Sequence, residues 1–185
     1  MPTRSDDLAI AETRAWVERV VIGLKLCPFA PVPALKGLIR YARSDAATPE
    51  GLVGDLTAEL QRLAASSPEE IETTLLIHPR VLEDFHDFND FLGVADELLR
   101  VLDLEGEIQI ASFHPRYQFA GTESDDIDNA TNRSPHPTLH LLREESIARA
   151  VDTFGDTGSI SIANLATLEK LGPAGLAAVR RGGPA

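Results

Sequence analysis

The sequence predicts an α/β fold with a small, mostly parallel sheet of about three strands surrounded by about five helices. Strand-like and helix-like segments alternate between residues 38 and 113. Thr73–Ile77 is a compact run of threonine, leucine and isoleucine, which is typical of a strand buried on both faces. This alternation favours crossovers between parallel strands. The alternative is an α+β fold in which one strand is antiparallel.

The first third of the chain predicts two helices and a strand. The first helix begins at Ser5 and ends near Cys27, because Pro28 disfavours helical geometry in the residue before it. Residues 28–33 are expected to form an extended, proline-stiffened crossing. A short strand follows at 38–42. Thr48 then caps a helix that has Pro49 in its first turn.

The rest of the chain predicts further strands and helices around a long loop. After the strand Thr73–Ile77, apolar residues at helical spacing from Phe85 predict a helix that ends near Gly106. A third strand is predicted over Ile108–Phe113. Helices are predicted over 138–154 and 164–171, the second stopped by Gly172, and a frayed tail from about residue 180.

Composition restricts the class of protein. The chain has 185 residues, which predicts a single globular domain, and its formal net charge is −12. Such an acidic chain disfavours nucleic acid and anionic membrane surfaces as partners. It has one cysteine, no long apolar stretch and no apolar run near its start, which together predict a cytoplasmic protein. The oligomeric state is left open.

The tripeptide His-Pro-Arg occurs twice, at residues 78–80 and at 114–116. Each copy follows a predicted strand, and ligands of open parallel sheets bind beyond the carboxyl ends of the strands. Proline explains the end of each strand, whereas histidine and arginine are not needed for that purpose. The residues therefore suggest a site for an anionic or metal-bound ligand, covered by the loop 115–137.

His114 and His140 are the candidate catalytic residues, acting as a general acid/base pair. His140 is placed in the first turns of the helix 138–154, where the helix dipole favours a neutral imidazole. The alternative is that His140 fills a polar corner of the core. His136 is a much weaker candidate. Asp126 is a candidate metal ligand together with His114, His140 and His78.

A divalent metal is a possible cofactor. Mixed imidazole and carboxylate ligands suit zinc or iron, and a sulfur ligand would add copper. Cys27 and Asp125 are further candidates for this shell. Cys27 is nevertheless expected to be an inert core residue, because a free cysteine at a helix C-terminus has a raised pKa. The five candidates for binding the substrate are Arg116, Tyr117, Asn132, Arg133 and Arg143.

Several sequence blocks resemble an uncharacterised bacterial family. The blocks are LCPFA, QIASFHPRYQFAGT and TNRSPHPTLHLLRE, and the likeness extends over residues 16–171. They resemble the domain-of-unknown-function family fourteen-fifteen. The resemblance implies a cytoplasmic bacterial single-domain protein and no particular activity. At position 136 this chain has histidine where the family block has tyrosine, so the resemblance does not predict His136 as a required ligand.

The sequence therefore predicts an enzyme of unknown reaction that acts on a small anionic molecule, with a divalent metal as its candidate cofactor. The first alternative is a module that binds a small anion without catalysis. The second alternative is a thiol or redox role for Cys27.

Overall fold

Within residues 4–154 and 157–184, which the computed structural model describes, four strands form one mixed sheet. The strand order is β1-β2-β4-β3, with bounds β1 Ile39–Arg43, β2 Thr73–Ile77, β3 Ile108–Phe113 and β4 Thr138–Arg143. β1 and β2 are parallel, whereas β4 is antiparallel to both β2 and β3. The α/β class is confirmed. The prediction of a mostly parallel, three-stranded sheet is wrong, because β4 inserts between β2 and β3.

Helices cover both faces of this sheet. Their bounds are α1 Arg4–Trp16, α2 Pro31–Leu35, α3 Pro49–Ala65, α4 Phe85–Val101, α5 Glu144–Phe154 and α6 Thr157–Arg180. α1 continues directly into a π-helical segment, Val17–Ile22. No helix in the described part of the chain is both long and apolar enough to span a bilayer.

Local capping explains why α3 and α4 begin where they do. The Thr48 hydroxyl accepts a hydrogen bond from the backbone N–H of Gly51 at 3.2 Å, which satisfies one of the free donors at the start of α3. The Asp84 carboxylate accepts from the N–H of His86 at 2.9 Å at the start of α4. This hydrogen bond, together with one from the N–H of Asp87, lowers the pKa of Asp84. The sequence predicted both helices.

Four predicted elements differ from the structure. Residues 138–143 form β4 and not the start of a helix, so α5 begins at Glu144. The first helical stretch ends at Ile22, and the crossing predicted as extended contains the short helix α2. Helix α6 kinks at Gly172, whose φ is 66°, and continues to Arg180.

Each face of the sheet has its own apolar core. α3 and α4 pack on one face, where Leu56, Phe88 and Leu141 are fully buried. The π-helical extension of α1 and helix α6 pack on the other face, around Trp16 and Leu168. Burial of one such side chain contributes about 1.5–3 kcal/mol. The two cores fix the sheet between two helical layers, which makes its strand ends a rigid platform.

The tail that was predicted to fray begins with a hydrogen-bonded turn. The N–H of Gly182 donates to the Val179 carbonyl and the N–H of Gly183 donates to the Ala178 carbonyl, each at 2.9 Å. This pair of bonds is a Schellman motif, and it requires the positive φ of 91° that Gly182 adopts.

Candidate functional site

Both His-Pro-Arg segments lie at the same edge of the sheet. β2 and β3 are each antiparallel to β4, so they run in the same direction and their carboxyl ends meet at one edge. His78 directly follows β2, and His114 directly follows β3. β4 lies between the two strands. The segments are therefore separated by the start of β4 and by residues 135–137, which precede it.

His114 is held as a neutral imidazole by backbone groups on both sides of its ring. The backbone N–H of Arg116 donates to Nδ1 at 3.0 Å, and Nε2 lies 3.2 Å from the Leu82 carbonyl. Because a carbonyl can only accept, Nε2 carries the proton. Burial, the largest cause, lowers the pKa of His114. This geometry leaves no ring nitrogen of His114 available to a metal ion or a substrate.

His78 is also buried and neutral, but it is protonated on the other nitrogen. Its Nδ1 donates to the Val81 carbonyl at 3.0 Å. Its Nε2 is buried and has no hydrogen-bond partner in the described structure. Burial lowers the pKa of His78 to about 4. Its ring stacks on Phe88 of α4, with ring centroids 5.7 Å apart.

The turn between β2 and α4 is held by the two His-Pro-Arg segments together. The consecutive carbonyls of Val81, Leu82 and Glu83 accept hydrogen bonds from His78, His114 and the Arg116 guanidinium. Leu82 adopts a φ of 58°. A non-glycine residue in this left-handed region costs on the order of 1 kcal/mol, which the three hydrogen bonds offset. The turn places Glu83 beside the segment 114–116.

A cleft of about 360 Å³ opens at this edge of the sheet. Both His-Pro-Arg segments contribute their prolines to it, and residues 135–137, which lie between the two segments, line it as well. The lining residues are Pro79, Glu83, Pro115, Arg116, Pro135, His136 and Pro137. The Arg116 side chain is 62% exposed and bonds the Glu83 carbonyl at 2.5 Å through Nη2. The cleft thus has stiff proline walls and a small number of charged groups.

His136 forms a hydrogen bond to a carboxylate that the sequence analysis did not find. Its Nε2 lies 2.6 Å from a carboxylate oxygen of Glu12 on α1. The two residues are 124 positions apart, so no local pattern indicates their contact. The available signal was the position of His136 between two prolines that precede a strand. His136 is therefore the histidine that lines the cleft.

His140 lies in the middle of strand β4 and not near a helix N-terminus, which corrects the prediction for its surroundings. Its ring is on the α1 face of the sheet, 5.7 Å from Phe113, whereas His78 and His114 contact Phe88 on the opposite face. Its Nε2 lies 2.8 Å from the Thr73 hydroxyl. Burial lowers the pKa of His140 to about 4. The sheet therefore separates His140 from the predicted catalytic partner His114.

Arg143 caps backbone carbonyls at the far end of β4. Its guanidinium donates to the carbonyls of Leu63, Ser66 and Ile71 at 2.7–3.2 Å. Residue 143 pairs with Ile108, at the start of β3. Arg143 is thus at the opposite edge of the sheet from the cleft. Arg143 lies in strand β4 and not in the helix predicted over 138–154.

Asn132 and Arg133 hold the loop 115–137 in place. The Asn132 side chain donates to the Ser112 carbonyl at 3.2 Å. Arg133 donates through Nε to the Tyr117 carbonyl at 2.9 Å and through Nη2 to the Ser124 carbonyl at 2.7 Å. These contacts use the polar groups that were predicted to bind a substrate. Both residues therefore stabilise the cover of the site in this structure.

The loop is ordered around a buried asparagine. The Asn129 carbonyl oxygen accepts from the Phe119 N–H at 2.8 Å, and its amide donates to the Glu123 carbonyl at 2.7 Å. The Tyr117 ring packs edge-on against Phe119, with centroids 5.0 Å apart. Asn129 lies in a 3₁₀ helix, Ile127–Asn132. These contacts connect residues across the loop.

The predicted metal ligands are not gathered into one group. Asp126 accepts a hydrogen bond from the Glu123 N–H at 2.9 Å, and Asp125 is exposed. Over residues 4–154 and 157–184, no three His, Cys, Asp or Glu side chains lie together in a way that could hold a metal ion. Cys27 is partly buried, and burial raises the pKa of its thiol. Metal dependence and a thiol role stay predictions.

Comparison with known proteins identifies a family for this chain but does not indicate an activity. A family model described as a protein of unknown function (DUF1415) matches residues 8–178. This match confirms the resemblance that the sequence blocks indicated. No curated protein and no solved structure matches the chain.

Proposed function

The chain belongs to the DUF1415 family of unknown function, and from the geometry of its cleft we propose that it binds a small anionic molecule there. Arg116 contacts the anionic group of the ligand. The prolines of the two His-Pro-Arg segments and residues 135–137 form the walls.

The convergence of these three segments carries the proposal. They are far apart in the sequence, and the sheet brings them to one cleft of about 360 Å³. This volume is near the lower end of the roughly 300–1,000 Å³ range of small-molecule sites, so it suits a metabolite-sized ligand. Proline fixes its own backbone φ, so the walls lose little conformational freedom when a ligand binds.

Arg116 has unused hydrogen-bonding capacity directed to solvent. Its contacts with the Glu83 carbonyl and the Asp84 carboxylate, at 2.5 and 3.4 Å, both use Nη2. Its Nε and Nη1 groups make no hydrogen bond with any described residue. A guanidinium with free N–H groups matches the geometry of a carboxylate or phosphate. Although the net charge of −12 repels anions at long range, an exposed guanidinium in a concave site attracts an anionic group locally.

The test compares the arginines of the two His-Pro-Arg segments. Binding of acetate, pyruvate, malonate and inorganic phosphate is measured by saturation-transfer NMR and calorimetry. Arg116→Ala is expected to weaken binding of the best anion at least tenfold, because the guanidinium supplies the charge-assisted hydrogen bonds. Arg80→Ala is the matched control, since Arg80 is exposed and does not line the cleft. It is expected to change the affinity less than twofold.

Two outcomes contradict the proposal. The first is that none of the four anions binds the wild-type protein at millimolar concentration. The second is an equal loss of affinity in Arg116→Ala and Arg80→Ala, which would assign the effect to overall charge and not to the cleft.

A further inference from the structure

We propose that His136, oriented by Glu12, is a general base that removes a proton from a carbon atom of a carboxylate ligand held by Arg116. This inference rests on the anion-binding function proposed above and assigns a reaction class to the same cleft. Glu12 acts through His136 and is therefore a positioning residue.

The protonation of His136 follows from its contact with Glu12. A carboxylate oxygen accepts a hydrogen bond, so the proton of the neutral imidazole lies on Nε2, which is 2.6 Å from Glu12. Nδ1 then carries the lone pair. No described residue donates to it or accepts from it. A carboxylate on one ring nitrogen and a free lone pair on the other form the arrangement in which enzymes use histidine as a base.

The backbone around His136 is restrained, so its ring has a defined position. The His136 carbonyl accepts hydrogen bonds from the hydroxyls of Ser134 at 2.6 Å and Thr138 at 2.9 Å. Residues 135 and 137 on either side are prolines, and the Pro137 carbonyl accepts from the His78 N–H at 3.0 Å. A base must lie within about 0.5 Å of its productive position, and these contacts supply the support.

His136 differs from the other histidines in that its ring lines the cleft and keeps one ring nitrogen without a hydrogen bond. The nitrogens of His114 are both bonded to backbone, and His78 and His140 are buried with pKa values near 4. His86 is exposed on α4, and its ring forms no hydrogen bond or ion pair with a carboxylate in the described structure, although it helps to lower the pKa of Asp84. The His136 side chain is 24% exposed, paired with a carboxylate and part of the cleft wall.

The reaction step uses the groups that the cleft provides. The C–H bond beside the ligand's carbonyl or carboxyl group breaks, its electron pair stays on the ligand as an enolate, and the proton bonds to Nδ1. The Glu12 carboxylate stabilises the imidazolium ion that forms. The Arg116 guanidinium stabilises the negative charge on the ligand oxygens. Return of a proton to the same carbon completes the exchange, so no oxidant, reductant or further reactant is consumed.

Hydrogen–deuterium exchange tests this step without knowledge of the natural product. Pyruvate, 2-oxoglutarate and malonate are incubated with the protein in D₂O, and loss of their C–H signals is followed by ¹H NMR. The wild-type protein is expected to accelerate exchange of at least one of them. His136→Asn is expected to reduce that rate at least 100-fold, because a positioned base contributes about 10²–10⁴. His86→Asn is the matched control and keeps the full rate.

The Glu12 variant separates positioning from binding. Glu12→Gln is expected to lower the exchange rate at saturating ligand about tenfold, with the half-saturating concentration unchanged, because the imidazolium loses its counter-charge. Glu18→Gln, an exposed carboxylate on the same helical stretch, is the control. A change in half-saturation without a change in rate would overturn the positioning role.

Chemical rescue distinguishes loss of the base from loss of the fold. His136→Ala leaves space beside Glu12, and added imidazole is expected to restore exchange, which a purely structural role would not allow. Binding of the same carboxylates without exchange in the wild type overturns the general-base proposal and leaves the anion-binding function intact. Absence of binding overturns the anion-binding function itself.

Discussion

The two His-Pro-Arg segments have the same sequence and follow strands that run in the same direction, but their side chains have different roles. Their histidines are alike in being fully buried, in contacting Phe88 and in donating to consecutive carbonyls of one turn. They differ in protonation, since His78 carries its proton on Nδ1 and His114 on Nε2. The difference arises because the Arg116 N–H occupies Nδ1 of His114.

The arginines differ more than the histidines. Arg80 is exposed and its side chain makes no hydrogen bond or ion pair with a described residue, whereas Arg116 is hydrogen-bonded to Glu83 and Asp84 and lines the cleft. After residue 80 the chain turns directly into α4, but after residue 116 it enters the long loop that ends at the cleft. The histidine of each tripeptide is therefore buried in the same way. The surroundings of each arginine differ, because the chain continues differently after residues 80 and 116.

The largest expected effect concerns the buried imidazole of His78. Its pKa is lowered from 6.5 to about 4, so the unfolded chain binds more protons than the folded chain between these values. His78 therefore stabilises the fold above pH 6.5, and this contribution is lost as pH falls toward 4. Relative to His78→Phe, the wild type should lose about 2.5 kcal/mol of unfolding free energy between pH 7 and pH 4.5.

Urea denaturation followed by Trp16 fluorescence measures this difference, because Trp16 is buried in one of the two cores. His86→Phe, at an exposed position, should follow the pH dependence of the wild type. Parallel pH profiles for the wild type and His78→Phe would show that the folded protein admits the charged imidazole, in contradiction to its burial.

The second comparison sets His114→Phe against His78→Phe at pH 7. Phenylalanine keeps an aromatic ring against Phe88 but removes the ring nitrogens. His114→Phe leaves the Leu82 carbonyl and the Arg116 N–H without partners, which costs about 2 kcal/mol. His78→Phe frees one carbonyl and removes a buried nitrogen that had no partner, so about 1 kcal/mol is expected. Equal losses in unfolding free energy would mean that the tautomers do not matter to stability.

The sequence predicted the three strands whose apolar and β-branched residues form a clear local pattern. β2 and β3 have the predicted bounds, and β1 is shifted by one residue. Residues 138–143 were predicted as part of a helix, and Leu139, Leu141 and Leu142 are indeed strong helix formers. The alternation of Leu139 and Leu141 with Thr138 and His140 was the available signal for a strand. Hydrogen-bonded pairing with β2 on one side and β3 on the other makes residues 138–143 a strand. Such long-range pairing has no signal in the local sequence.

The edge of the sheet that holds the cleft was predicted from the strand ends, whereas the partners of individual side chains were not. Arg143 and Arg133 bind backbone carbonyls that belong to distant segments, and the sequence does not show which carbonyls lack a partner. The contact between His136 and Glu12 depends on how α1 lies beside the start of β4. These partners follow from tertiary packing and not from spacing along the chain.

The smallest expected effect is the change in unfolding free energy when Arg116 or Arg80 is replaced by alanine. This change decides whether a loss of anion binding in these variants can be assigned to the missing guanidinium. Arg116→Ala removes hydrogen bonds from an exposed side chain to Glu83 and Asp84, which should lower the unfolding free energy by about 0.5–1 kcal/mol. Arg80→Ala should change it by less than about 0.3 kcal/mol. Urea denaturation at pH 7 checks both values. Because a loss of this size leaves the protein folded, a tenfold loss of anion affinity in Arg116→Ala would report the missing guanidinium. A loss above about 3 kcal/mol would instead make Arg116 a structural support of the β2–α4 turn.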